Sequence, residues 1–267
     1  MKNIEDYIKT ILVPGQEYMQ PALNELNRVG INGFSYSRIY KNGKFITLST
    51  NIAWAKHHFQ EFFATKYKPS DIKTTELLNG PMLWISNPAN EVWRSAQAFG
   101  LGNGLLLTEN QANYKEVYCY TADPNNHQIH TFYLSHFDFL KQVNFLLKDK
   151  AMKIIQQASA SPLDTPELYQ QEKSALSSKT SAQTDSFALP KPKRFYLNDR
   201  TYLTLKEAAC LAWCVQGKSA GEIAIILGSS KRTIESHLEK LKLKLGCYKQ
   251  TDLVRIALQL GILNFNW

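Results

Sequence analysis

The stretch from Gly217 to Gly246, GKSAGEIAIILGSSKRTIESHLEKLKLKLG, leaves the chain little choice of local structure. Ser219 and Glu222 stand three residues apart, so each side chain can satisfy the other's backbone N–H, a helix-start signature. Ile223, Ile226 and Leu227 follow at the spacing of one helix face. Gly228 then tolerates a tight turn, and Ser230 can cap a second helix running from about Lys231 to Leu245. In that second helix Ile234, Leu238, Leu241 and Leu245 form an inward stripe, while Arg232, Glu235, Ser236, Glu239 and Lys242 share the opposite face. A helix, a short turn and a second helix with a polar outer face make a helix-turn-helix, whose second helix enters the DNA major groove. Periodicity by itself fits an ordinary helical hairpin with solvated charges about as well.

Residue identity narrows the choice. Leu203-Thr204, Lys206-Glu207, Gly217, Ser219, Glu222-Ile223-Ala224, Leu227-Gly228 and Ser230 are followed by Thr233-Ile234, His237, Lys244-Leu245-Gly246-Cys247 and Ala257 to Leu263. In these residues and their order, the segment from Leu203 to Leu263 resembles the four-helix DNA-binding domain of LuxR-type transcription regulators. The family usually has Arg where Lys206 stands and Lys where Gly221 stands, and often a basic or apolar pair in place of Glu235 and Ser236. Those departures bear on which DNA sequence is read.

The resemblance implies double-stranded DNA as partner and an interface of Ser230, Lys231, Arg232, Thr233, Glu235, Ser236, His237, Glu239, Lys240, Lys242 and Lys244. Lys231, Arg232, Lys242 and Lys244 are expected on phosphates, and Glu235, Ser236 and Glu239 at base edges. It also implies a homodimer, paired through a last helix over Asp252 to Leu260, with Leu253, Val254, Ala257 and Leu260 as contact residues.

Upstream the reading is of a different fold. Two helices are expected before Gly30, with a break at Val13-Pro14-Gly15. Phe34 to Tyr40 and Lys44 to Leu48 flank Asn42-Gly43, a hairpin signal. Helices are expected at Ile52–Lys66, Asn90–Phe99 and His136–Gln157, and strands at Pro81–Trp84, Gly104–Thr108, Tyr114–Tyr120 and Ile129–Leu134. This predicts an α+β chain: an α/β/α sandwich around an antiparallel sheet, over residues 1–158, of the kind used by small-molecule sensors. Residues 159–194, rich in Ser, Thr, Gln, Ala and Pro, read as a flexible linker with a weak helix near Pro166 to Leu176. Residues 195–267 are expected to form an all-α, four-helix helix-turn-helix domain.

The N-terminal half also resembles, more faintly, the autoinducer-binding domain usually fused to this DNA-binding type. It does so through Trp54, Pro81 with Trp84, and Phe99-Gly-Leu-Gly-Asn-Gly104. In that family a Trp, a Tyr four residues on and an Asp nine further bind the acyl-homoserine lactone head group. Here His58 holds the Tyr position and Asp71 falls four residues late, which argues against the usual lactone. Trp54, His58, Asp71 and Trp84 are therefore the ligand-binding candidates, with core packing of the two tryptophans as the plainer alternative. A regulator whose N-terminal domain binds no small molecule, and only dimerises or meets a protein, is a second reading.

Other chemistry finds little support. His57, His58 and Glu61, or His127 with His130, are arrangements that chance produces, and Cys210 and Cys214 are expected in a core. Gly100 to Gly104 lacks the acid that follows a dinucleotide loop. No enzyme activity, cofactor or metal is expected. The net charge of +8 suits a polyanionic partner, although only ten Lys/Arg against six Asp/Glu lie from Phe195 onward. With no leader-like start, no membrane-length apolar run and four cysteines in a chain of 267 residues, the expectation is a cytoplasmic protein with reduced thiols.

Overall fold

The two aromatic runs around Asn42-Gly43 form the first hairpin of the computed structural model, which describes residues 2–61, 80–84, 91–164, 192–247, 252–253, 256–257 and 262. Strand β1 (Ile31–Tyr40) turns through three residues into β2 (Lys44–Ser49). Gly43 sits at φ 74°, a left-handed conformation that only glycine adopts cheaply, and its N–H reaches the Tyr40 carbonyl at 3.1 Å. Ahead of the hairpin lie α1 (Lys2–Tyr7), a π-helical turn (Ile8–Leu12) and α2 (Val13–Asn27). The break expected at Val13-Pro14-Gly15 does not occur. Pro14 falls in the first turn of α2, where its missing N–H is not needed, and the wider turn before it absorbs the join.

Beyond β2 come α3 (Ile52–His58), β3 (Gly80–Trp84), α4 (Glu91–Gln97), β4 (Gly102–Asn110), β5 (Tyr114–Ala122), α5 (Ile129–Ser135) and α6 (Phe137–Ala160). The strands pair antiparallel in the order β3-β4-β5-β1-β2-β6, where β6 is Leu163–Asp164. Five of these match expected strands; β6 adds two residues against Lys44 and Phe45, from a segment expected in the linker. Ile129–Leu134, expected as a strand, is helical: Ile129 and Tyr133, one turn apart, are the two buried positions, and packing outweighs β-propensity. Residues 165–191, which include the helix expected near Pro166, lie outside the described residues.

The chain divides into two compact units, Met1–His136 with Ala151–Asp185 and Phe137–Lys150 with Ser186–Trp267. In the first, Phe34 and Tyr36 on β1 share a sheet face with Tyr118 and Tyr120 on β5 and with Leu48 on β2, all buried. The same face carries Arg38 opposite Glu116, each 1% exposed. Arg38 Nε lies 3.3 Å from Glu116 Oε1 and donates to the Tyr36 hydroxyl, which in turn donates to Glu116. The Arg38 guanidinium also stands 4.5 Å from the centre of the Tyr114 ring. Two charges are thus buried together with hydrogen bonds, the one arrangement in which burying them is tolerable.

In the second unit, expected to be all-α from residue 195, β7 (Arg194–Tyr196) and β8 (Tyr202–Thr204) form a short antiparallel hairpin, its aromatic runs pairing across a turn, before α7 (Leu205–Val215), α8 (Ala220–Ile226) and α9 (Lys231–Leu245). Phe195, Leu203, Leu211, Ile223, Ile234 and Leu241 form its core. Phe145 from α6 joins that core, its ring 5.3 Å from Phe195. Asp149, one helical turn on, accepts the backbone N–H groups of Lys193 (3.1 Å) and Arg194 (3.0 Å).

Candidate nucleic-acid interface

Three caps set the helices that would meet DNA. Thr204 and Glu207 exchange hydrogen bonds at the start of α7, and Ser219 and Glu222 do the same at α8. The Glu222 carboxyl is held below the ordinary value by the Ser219 backbone and hydroxyl donors. At α9, Ser230 Oγ accepts the Thr233 N–H at 3.1 Å. The turn between α8 and α9 passes through Gly228 at φ 60°.

The inward stripe of α9 lies as its spacing requires. Ile234 and Leu241 are buried, and Leu238 and Leu245 pack against the same core. Lys231, Arg232, Thr233, Glu235, Ser236, Glu239 and Lys240 are exposed along the outer face. Lys231 and Glu235 form a loose i,i+4 pair at 3.8 Å, both side chains more than half exposed, worth little in water. Lys242 is half-buried. His237 is also half-buried, and its Nδ1 is enclosed with no hydrogen-bond partner among the described residues. Ile226, expected to face inward with Ile223, is 43% exposed, and its neighbour Ile225 is 83% exposed.

Two expectations need correction. Lys244, expected on phosphate, directs its ammonium inward, to both oxygens of Glu207 (2.8 and 2.7 Å) and to the Tyr202 carbonyl (3.1 Å). Burial works to raise the Glu207 carboxyl, but Lys244 and the two Thr204 donors outweigh it, and the group ends below its ordinary value. Leu253 and Ala257, expected to meet a second copy, are 1% and 0% exposed, taken up by their own domain's core. Val254 and Leu260 lie outside the described residues.

The ion pair is invisible in the sequence, because 37 positions separate its partners. The β7–β8 hairpin does leave a signal: Asn198-Asp199 between Phe195-Tyr196 and Tyr202-Leu203 is turn chemistry between two aromatic runs.

In the first unit, Trp54 on α3 gathers aromatic neighbours: His58 at 5.3 Å, Phe99 at 5.5 Å and His57 at 5.9 Å between ring centres. His57 Nε2 lies 2.7 Å from Ser95 Oγ, tying α3 to α4, a contact the sequence does not suggest. Trp54, Trp93, Phe99 and Cys119 pack around Ala96 and Leu101, so this cluster sits against the face of β5 opposite the aromatic core. Burial, reinforced by His57, pushes the His58 pKa down to about 4, leaving a neutral imidazole at physiological pH. Asp71 lies outside the described residues, and Trp84 is placed only by its backbone, opposite Gly104. Among the described residues no helix is long and apolar enough to cross a membrane, and no group of three or more His, Cys, Asp or Glu could hold a metal.

Residues 201–257 match the family model described as bacterial regulatory proteins, luxR family. The quorum sensing-dependent transcriptional regulator VjbR of Brucella ovis is 44% identical over 62 residues, 23% of this chain and 24% of that protein. The transcriptional activator protein VanR of Vibrio anguillarum is 40% identical over 65 residues, 24% of this chain and 27% of VanR. The matched stretch therefore spans about a quarter of these relatives' length. Among solved structures, Escherichia coli SdiA superposes with a TM-score of 0.38 at 14% identity, covering 98% of this chain and 97% of that one. CepR2 of Burkholderia cenocepacia gives 0.34 at 13% identity, covering 55% and 98%.

Proposed function

We infer that this chain, whose residues 201–257 belong to the luxR family of bacterial regulatory proteins, is a sequence-specific, DNA-binding transcription regulator of the cytoplasm. The observation that carries this reading is α9: one face fixed to the core by Ile234 and Leu241, the other presenting Arg232, Thr233, Glu235, Ser236, Glu239 and Lys240 to solvent behind a Ser230 cap. Such a helix enters the major groove, with its first turns over base edges. Lys231, Arg232 and Lys240 contact phosphates, and Glu235 and Glu239 accept from cytosine N4 on one strand. Lys244 is left out of this set, because its ammonium is committed to Glu207.

Two copies acting together read a twofold site with half-sites about one helical turn apart. The N-terminal unit serves as sensor, holding a small molecule beside Trp54 and His58. That His58 is an enclosed neutral imidazole, and not a phenol, supports a ligand other than the usual lactone.

Selection of bound duplexes from a random pool, using the full chain at near-physiological salt, tests the reading. A recovered palindrome supports a dimeric reader, and recovery that improves on adding cell extract supports a ligand. Salt-sensitive binding with no sequence preference, with and without extract, would sink it.

A further inference from the structure

We propose that the β7–β8 hairpin is a second DNA-contacting element, which lays Lys193, Arg194 and Arg200 on backbone phosphates flanking the base-read site. This rests on the DNA-binding reading above. The hairpin is built to be stiff. Phe195 and Leu203 on one side are fully buried in the domain core. At the tip, Asn198 Oδ1 accepts the N–H groups of Arg200 (2.9 Å) and Thr201 (2.8 Å), and the Leu197 N–H reaches the Thr201 carbonyl at 2.9 Å.

Its other side carries Arg194, Tyr196 and Tyr202. The Arg194 guanidinium stands 4.9 Å from the Tyr202 ring centre and the Lys244 ammonium 5.5 Å from it, while Tyr196 packs against Tyr202 at 5.4 Å. Between 192 and 206 there are four cations, Lys193, Arg194, Arg200 and Lys206, and one acid, Asp199. Lys193, Arg194, Arg200 and Lys206 are all exposed. Asp149 also approaches the start of the hairpin, its two oxygens taking the backbone N–H groups there, so with Asp199 it offsets two of the four cations and leaves the ledge net positive.

Position makes this cationic ledge more than a solvated surface. The Lys244 ammonium bonds the Tyr202 carbonyl, so the hairpin is pinned to the last turn of α9. A helix of this length spans about 22 Å, whereas the major groove is roughly 12 Å wide. If the first turns of α9 sit over base edges, its last turn reaches the groove's rim, where the next phosphates lie. Arginine and lysine without base-reading geometry suit that backbone.

The test uses the full chain and two duplexes carrying the selected site, one trimmed to the half-sites and one extended by roughly one helical turn on each side. On the long duplex, Lys193→Ala with Arg200→Ala should flatten the log–log salt dependence by about 0.9 for each phosphate that is no longer neutralised. The difference between variant and wild type should vanish on the trimmed duplex, sequence preference should not change, and Arg200→Lys should retain the wild-type slope. An unchanged slope on the long duplex overturns the proposal, as does an equal change on both duplexes. Failure of the wild type to bind either duplex would instead overturn the DNA-binding reading itself.

Discussion

At the scale of single residues, the same side-chain type is put to opposite uses along α9. Lys240 faces solvent, whereas the Lys244 ammonium, on a side chain still 32% exposed, is bonded to the buried Glu207. Lys244→Ala should therefore destabilise the domain by about 1–3 kcal/mol, since it strands a mostly buried carboxylate. It should leave the salt slope of DNA binding unchanged, and a urea melt beside a salt titration separates the two effects. The Glu207 carboxyl, held below its ordinary value, contributes stability above pH 4.5 that is lost as pH falls through its folded-state pKa. Arg232→Ala should weaken binding to every duplex, whereas Glu235→Ala should change which duplexes a selection recovers; equal weakening on specific and random DNA for both would refute that division. His58 gives a further pH signature. Its pKa falls from 6.5 to about 4 on folding, so unfolding takes up a proton between those values. Stability of the N-terminal unit should drop as pH is lowered across that window, and less steeply in His58→Gln, as thermal melts at stepped pH would show. Local partnerships are legible in the sequence: the pairs Thr204–Glu207 and Ser219–Glu222 obey a three-residue rule that sequence displays. Lys244 reads instead as one more outward cation, because its partner is distant in the chain.

Among the elements, those with strong turn or cap chemistry follow from the sequence and those decided by packing do not. Asn42-Gly43 sets a hairpin by backbone preference alone, and the structure has it there. Ile129–Ser135 carries the β-branched and aromatic residues of a strand yet is helical, because its buried positions recur every four residues. For α6, amphipathic spacing predicts the helix but not what covers each part of it. Phe145 fills the core around Phe195, so Phe145→Ala should cost the second unit about 3 kcal/mol. A melting midpoint of that unit unchanged by the substitution, followed by the NMR indole signal of Trp213, which packs against the same core, would mean that the ring is dispensable there. The aromatic cluster at Trp54 is half legible. Trp54, His58 and Phe99 stand out by residue type, but the His57–Ser95 bond joins α3 to α4 across 38 positions.

At the scale of the whole molecule, the chain divides into two compact units, and Phe137–Lys150, expected within the N-terminal domain, groups with Ser186–Trp267. Strand order in the six-stranded sheet is only partly legible in the sequence: β1–β2 and β4–β5 pair as chain neighbours, but β5 beside β1 joins strands far apart in the chain. The buried Arg38–Glu116 pair has a consequence for how that sheet is assembled. Its partners are 78 positions apart, so neither finds the other until a long stretch of chain has closed. Before then both charges are solvated and nothing is lost. A sheet that closed with β1 slipped by one residue against β5 would turn Arg38 to the other face and leave Glu116 buried alone, at a penalty of several kcal/mol. The pair thus penalises every register but the one that seats both charges together.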